Sequence, residues 1–356
     1  MTRSNRSRLP VGLPGALLVL AALSGAAVAP AAAAPAALKP YKVGFNAWIG
    51  SIAFFVARDK GFFKDEGLDV QGKSFSAPGD GLTPLLTGDL DAVLSTADSV
   101  ITVLDKAPGQ LKVVYLTDTS AGADAILARK EIADIKSMKG KKVAATLGQC
   151  NQLLLEKALE KAGLTDKDIQ LVNMNPDDAG AAFAAGKIDV AVTWEPWITK
   201  VAGEKKGHVI FSSKDTPNLI LDVLAISAKT EKGKAAETRA FLKALNRGYE
   251  FVKSKTDESA ALAAKALEQK PDEVKAMLPK VLLYSPKQNL EVMAGPAAAA
   301  TAQVAKFFKD KKVNDTLVDV SKMYDASYLS SLEPSEGSKP PAKDSGGGPA
   351  SARREK

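Results

Sequence analysis

Short apolar runs alternate with amphipathic stretches along most of this chain, and the alternation sets the first expectation. Lys42–Asn46, Leu68–Val70, Asp91–Ser95 and Leu111–Leu116 are brief, mainly apolar runs set off by turn-forming or polar residues, so they read as strands. Between them, Ser51–Phe63 carries Ile52, Phe55, Val56 and Phe62 at helical spacing and is followed by Gly67 as a stop. The loop Ala77–Gly81 leads to a short helix through Leu85 and Leu86. Asp98 is placed to cap a helix through Val100, Ile101, Val103 and Leu104. The pattern then repeats, with strands at Lys142–Ala145, Ile169–Val172 and Asp189–Thr193 and helices at Gln149–Ala162 and Asp177–Ala185. From about Thr230 the spacing is helical throughout: Thr238–Lys253, Glu258–Glu268, Pro271–Met277 and a long segment Leu290–Phe308.

Two stretches rhyme. Thr87-Gly-Asp-Leu-Asp-Ala-Val-Leu94 and Ala185-Gly-Lys-Ile-Asp-Val-Ala-Val192 share a helix-end, turn and strand pattern, which predicts two similar α/β lobes rather than a short-period solenoid. Strands alternating with helices predict mostly parallel sheets covered on both faces.

The two ends stand apart from this pattern. Arg3, Arg6 and Arg8, the apolar run Leu13–Val28 and the small-residue stretch Ala27–Ala34 read as a secretory signal peptide over 1–34, cleaved near Ala34. No cysteine lies near that site to carry a lipid. Residues 333–356 are rich in Pro, Gly, Ser and charge, and read as a disordered tail. The formal charge of +7 falls to about +3 once both ends are set aside, with no basic stripe that would mark a nucleic-acid surface. The single cysteine, Cys150, permits no internal disulfide, and a core of this size stands without one. An exported protein that remains a monomer in the bacterial periplasm is the simplest expectation.

All three tryptophans follow a strand. Trp48 comes after the first, and Trp194 and Trp197 bracket Glu195-Pro196 at the end of Asp189–Thr193. Ligands of open α/β sheets bind beyond the strands' C-terminal ends. Each tryptophan is either core filler or pocket wall. Glu195 is either a charge placed on a helix start or a partner for an amine. Asp98 and Ser99, with Thr96 in the same loop, are caps that can also face a ligand. The backbone N–H groups at the helix starts near Ser51 and Gln149–Asn151 could receive an anion. The same region gathers Asp98, Asp118, Glu195 and Asp222, against which a purely anionic ligand would be repelled. A zwitterion, a cation or a neutral polar ring would fit both sets. Asp222 could instead only orient the crossing segment. Cys150 is read as a buried, inert thiol and His208 as a surface residue before a strand.

Several segments together resemble a known family. They are Trp48 and Phe54-Phe-Val-Ala-Arg-Asp-Lys-Gly-Phe-Phe-Lys-Asp-Glu-Gly-Leu-Asp-Val70; Leu86-Thr-Gly-Asp-Leu-Asp-Ala-Val93; Asp134-Ile-Lys-Ser-Met-Lys-Gly-Lys-Lys-Val143; and Gly186-Lys-Ile-Asp-Val-Ala-Val-Thr-Trp-Glu-Pro-Trp197. In order and spacing they resemble the ABC-importer substrate-binding proteins of the nitrate/sulfonate/taurine type, over most of Lys42–Ile226. The resemblance implies a two-lobed, type II-like periplasmic-binding-protein fold. Lobe one is placed at 40–125 plus 222–332 and lobe two at 126–221. It implies no enzyme activity and no cofactor or metal. The partners it implies are a small-molecule ligand in the cleft and a membrane permease. Taurine or another alkylsulfonate is the leading ligand by resemblance, and a cationic amine or pyrimidine-like ring is the alternative; a role in sensing at a membrane signalling partner uses the same closure. The ligand-facing set is Trp48, Ser51, Thr96, Asp98, Ser99, Gln149, Asn151, Trp194, Glu195 and Asp222. The cysteine-rich motif of pyrimidine-synthesising enzymes in the wider fold superfamily is absent. So are a Gly-rich phosphate loop, a His/Cys zinc cluster and a setting in which His208 could serve a catalytic triad.

Overall fold

The computed structural model describes residues 37–332. The leader 1–34 and the tail 333–356 expected from the sequence lie outside the described residues. Eleven strands are seen among the described residues: β1 (Lys39–Asn46), β2 (Leu68–Phe75), β3 (Ala92–Thr96), β4 (Leu111–Ser120), β5 (Asp124–Ala128), β6 (Lys142–Ala145), β7 (Gln170–Asn173), β8 (Val190–Trp194), β9 (His208–Ser212), β10 (Leu221–Ser227) and β11 (Val281–Leu283). They form two sheets, ordered β11-β4-β10-β3-β1-β2 and β7-β6-β8-β5-β9. The central strands β3, β8 and β10 are buried along their whole length, as continuous apolar runs between two helical layers must be.

The two-lobed α/β architecture is the one the alternation predicts, but the sheets are mixed rather than mostly parallel. β1 pairs parallel with β2 and β3, and β6 with β7 and β8. β10 lies antiparallel between β3 and β4, and β5 lies antiparallel between β8 and β9. The reason is the route of the chain. β5 is the first strand after the chain enters the second sheet, and β10 the first after it returns. Neither is fed by a helical crossover within its own sheet, the connection that a parallel neighbour requires. Only residues 121–123 and 213–220 join the sheets. The two crossings are tied together where the Ser120 and Ser213 hydroxyls meet at 2.8 Å and the Gly122 N–H donates to the Ser213 hydroxyl.

Helix ends differ from expectation for local reasons. The expected helix Ser51–Phe63 is two, Ile52–Asp59 and Phe62–Asp65, because Gly61 between them adopts φ 76°. The long segment expected at Leu290–Phe308 is also two, Pro286–Ala294 and Pro296–Asp310, since Pro296 lacks the N–H a continuing helix would need. Asp98 is not the cap of its helix. Thr96 holds that position and Asp98 sits inside the first turn of Ala97–Lys106.

A large apolar cluster fills the first lobe, and two smaller clusters cover the faces of the second sheet. Trp194 and Leu153, from the second sheet's lobe, join the large cluster. Within it, the helix Ala235–Ser254 packs along Ile52–Asp59, with Gly248 set against Ala53. A Cβ there would stand 2.2 Å from the Ala53 carbonyl oxygen. Gly248→Ala should therefore destabilise by about 1–3 kcal/mol through overpacking, against the gain of about 1 kcal/mol that alanine brings to an open helix position. An unchanged or raised urea midpoint would show that the helices can separate freely.

Candidate ligand-binding cleft

Strand register assembles the site. On β10, Asp222 stands opposite Thr96 of β3 on one side and Asp118 of β4 on the other. On β5, Asp124 stands opposite Trp194 of β8. β1 runs parallel to β3, so Asn46 and Trp48 emerge at the same end of the sheet as Thr96. Asn46, Trp48, Thr96, Asp124, Trp194 and Asp222, together with Pro78, Cys150 and Ile220, line a tight cavity of about 10 Å³ between the lobes, the space of a single water. It lies beyond the C-terminal strand ends, as open α/β sheets dictate.

The two lobes are closed on each other. The Trp48 and Trp194 rings meet across the cavity with centroids 6.1 Å apart, tilted by 53°. The Trp48 indole N–H donates to Asp118 Oδ1 at 3.1 Å, and that of Trp194 to Asp177 Oδ1 at 2.9 Å. The Gly79 N–H donates to Gln149 Oε1 at 3.4 Å, and the Thr102 hydroxyl to the Gly148 carbonyl at 3.2 Å. Two ion pairs also bridge the lobes: Lys311 to Glu156 at 2.6 Å, and Lys280 to Glu195.

Charge is distributed unevenly. Asp98, Asp118, Asp124 and Asp222 are at most 7 % exposed, and no Lys, Arg or His lines the cavity. Asp124 Oδ2 and Asp222 Oδ2 have no hydrogen-bond partner among the described residues, and Asp98 is met only by the Thr96 hydroxyl and the Cys150 N–H. Burial dominates the titration of all four groups. It raises Asp98 from 3.8 to about 6, an effect the nearby Thr96 hydroxyl and Cys150 N–H only partly offset. It raises Asp118 and Asp124 to about 7, with the Trp48 and Thr117 donors opposing the shift at Asp118 and the Ser120 hydroxyl opposing it at Asp124. Asp222 is pushed well above 3.8 by burial and by the negative charge of Asp118, Asp124 and Asp98. Two carboxyls facing each other away from water are best served by sharing one proton. The Cys150 thiol is also raised by burial and by Asp98, Asp124 and Asp222, which makes it a poor nucleophile.

The residues singled out from the sequence divide in two. Trp48, Thr96, Trp194 and Asp222 line the cavity. Asp98 lies behind Thr96 and Cys150, and the Ser99 hydroxyl is taken up by Thr96 at 2.9 Å. Gln149 spends its side-chain oxygen on the interlobe bond, and Asn151 is buried with its Nδ2 unpartnered. Ser51 faces a separate small hollow with Tyr115 and Tyr284. Glu195 does not line the cavity. Its carboxylate accepts from the Thr199 N–H at 3.0 Å and the Thr199 hydroxyl at 2.9 Å, besides Lys280, so the helix-start role holds and the amine-partner role is filled from within. Trp197 packs on Gly180 and bonds Asp177. Asp124 was missed because β5 was missed. Its signal is an acid heading the apolar run Asp124-Ala-Ile-Leu-Ala128.

Both helix starts expected to receive an anion already face a carboxyl group of the chain. Asp98 lies against the Cys150 N–H at the start of Cys150–Ala162. Asp118 lies so close over Gly50, just before Ile52–Asp59, that a Cβ there would fall 2.1 Å from Asp118 Oδ2.

This architecture is the two-lobed periplasmic-binding-protein fold. The chain belongs to the NMT1/THI5-like family, whose model matches residues 48–259, more than half of its length. It is 25% identical over 325 residues to a Bacillus subtilis (strain 168) protein named for binding aliphatic sulfonates, covering 89% of this chain and 95% of that one. It is 22% identical over 262 residues to the taurine-binding periplasmic protein of Escherichia coli (strain K12), covering 71% and 81%. Among solved structures, the alkanesulfonate-binding protein SsuA of Xanthomonas axonopodis, bound to MOPS, superposes with a TM-score of 0.68 at 18% identity, over 81% of this chain and 99% of that one. The relatedness to sulfonate- and taurine-type binding proteins anticipated from the sequence therefore stands.

The buried charges have two measurable consequences. In the fold the raised carboxyls bind more protons than in the unfolded chain between about pH 4 and pH 7, so stability falls as pH rises through that window. The melting temperature of ligand-free protein should be at least about 3 °C higher at pH 5 than at pH 7.5, and Asp222→Asn should flatten that slope; a melting temperature that rises with pH contradicts the burial described. Lys280→Met leaves Glu195 buried without its cation and should cost about 3 kcal/mol. Adding Glu195→Gln should recover part of that loss, and equal denaturation midpoints for the single and double variants would show that the two residues are not coupled.

Proposed function

We propose that the chain is the exported solute-binding component of an ABC importer. It captures a small polar organic molecule between its lobes and delivers it to a membrane permease. The observation that carries this reading is the cavity itself: the strand ends of two lobes meet there through Trp48 and Trp194, and the lobes are linked by two short crossings about which a cleft can open and close. The family supports the same role. Export to the periplasm is supported by the basic and apolar leader. Among the described residues, no helix is long and apolar enough to cross a membrane. The relatives' names suggest taurine or an alkylsulfonate. Of that class, a member bearing an amine suits the acidic walls, as does a cationic amine or pyrimidine-like ring.

The test is capture from a mixture. The full chain is incubated with the small-molecule fraction of a cell extract, washed, and released ligand is weighed by mass spectrometry. One compound should be retained in about 1:1 ratio and should raise the melting temperature by mass action. Trp194→Ala should weaken its binding at least about tenfold, roughly 1.4 kcal/mol, with the fold kept. No retained compound would remove the reading, and retention unaffected by Trp194→Ala would move the ligand out of this cavity.

A further inference from the structure

We infer that the ligand of this cleft is a small organic molecule bearing a positively charged nitrogen, held by Asp124 and Asp222 beside the Trp48 and Trp194 rings. The inference rests on the solute-binding reading above and names the chemistry of its ligand.

Eight acidic side chains are buried among the described residues: Asp91, Asp98, Asp105, Asp118, Asp124, Glu156, Glu195 and Asp222. Four of them have a lysine: Asp91 with Lys234, Asp105 with Lys106, Glu156 with Lys311, and Glu195 with Lys280. The other four are Asp98, Asp118, Asp124 and Asp222: Asp124 and Asp222 line the cavity, Asp118 stands opposite Asp222, and Asp98 lies behind Thr96 and Cys150. Everywhere else among the described residues the chain compensates a buried carboxylate with its own cation. Here four stand together with none, and unpartnered oxygens remain on Asp124 and Asp222, the two that line the cavity. Leaving such groups without partners is costly, and a ligand that brings a positive charge and N–H donors removes the cost.

The neighbouring features point the same way. The two helix starts that could hold an oxyanion are faced by Asp98 and Asp118. The cavity walls add two indole faces, which attract cations and repel anions. Among the described residues, no group of three or more His, Cys, Asp or Glu is arranged to hold a metal ion. The closed cavity leaves about 10 Å³, so the charged part must be small and is admitted as the lobes part about their crossings.

Guanidinium, urea and nitrate test the charge directly, because they are planar and of similar size and carry positive, zero and negative charge. Each is added to the full chain at about 10 mM and about pH 7.5, where even a millimolar binder must raise the melting temperature. Taurine against ethanesulfonate, and methylammonium against calcium, are run beside them. The expected result is binding by guanidinium or methylammonium at least tenfold tighter than by urea, no effect of nitrate, and taurine preferred over ethanesulfonate. Asp124→Asn and Asp222→Asn should each weaken cation binding at least tenfold while leaving the ligand-free protein folded and no less stable. Nitrate or ethanesulfonate binding in preference to the cations overturns the charge assignment and leaves the solute-binding reading intact. Urea binding as well as guanidinium, a response to calcium but not to the organic cations, or silence from every organic cation also overturns the assignment. Failure of the extract experiment is the separate result that removes the solute-binding reading.

Discussion

Like charge held away from water is the constraint around which this molecule is organised. Asp118 and Asp222 face each other because β4 and β10 are neighbours in register, and Asp124 joins them because β5 pairs with β8 at Trp194. No side-chain rearrangement separates them while the sheets remain intact. The fold limits the cost by protonation, through raised pKa values, and by aiming indole and backbone N–H dipoles at two of the four groups. What remains is electrostatic potential stored in a closed space, and in a low-dielectric interior it is felt strongly by any charge that enters.

Closure is held by contacts of unequal weight. The tryptophan pair adds about 1 kcal/mol beyond its buried area, and the single polar bonds at Gly79 and Thr102 about 1 kcal/mol each. The ion pairs differ. Glu195 and Glu156 are buried, so their lysines act chiefly to keep a carboxylate from being stranded. Opening the cleft would let water take over that task. The closed form is thus favoured by modest margins, as a receptor that must also release its ligand requires.

Much of the frame was legible in the chain. Lys142–Ala145 and Pro271–Met277 fall where the pattern puts them, because each is bounded by residues that end an element on chemical grounds. The strands that escaped, β5, β10 and β11, are those whose neighbours lie far away in sequence, so no local periodicity announces their direction. The same blindness hid Asp124. Glu195 shows the converse: its flanking tryptophans advertised a ligand, but its partner Lys280 comes from a segment 85 residues on and could not be foreseen. Cavity walls such as Trp48 and Trp194 were legible because a large aromatic after a strand has few places to go. Which acids lack a cation is a property of the whole fold.

The crossings have a consequence for how such a receptor can change. Ser120, which ties the two crossings together, is four residues from Asp124, and Ile220 is two residues from Asp222. The pivot and the recognition groups are therefore consecutive stretches of one ribbon. A residue inserted or stiffened in either crossing would turn a carboxyl group as well as alter how far the lobes swing. Selectivity and mechanical compliance in this protein are inherited together, and altering one without the other would require compensating changes on β4 or β8, the strands against which those ribbons lie.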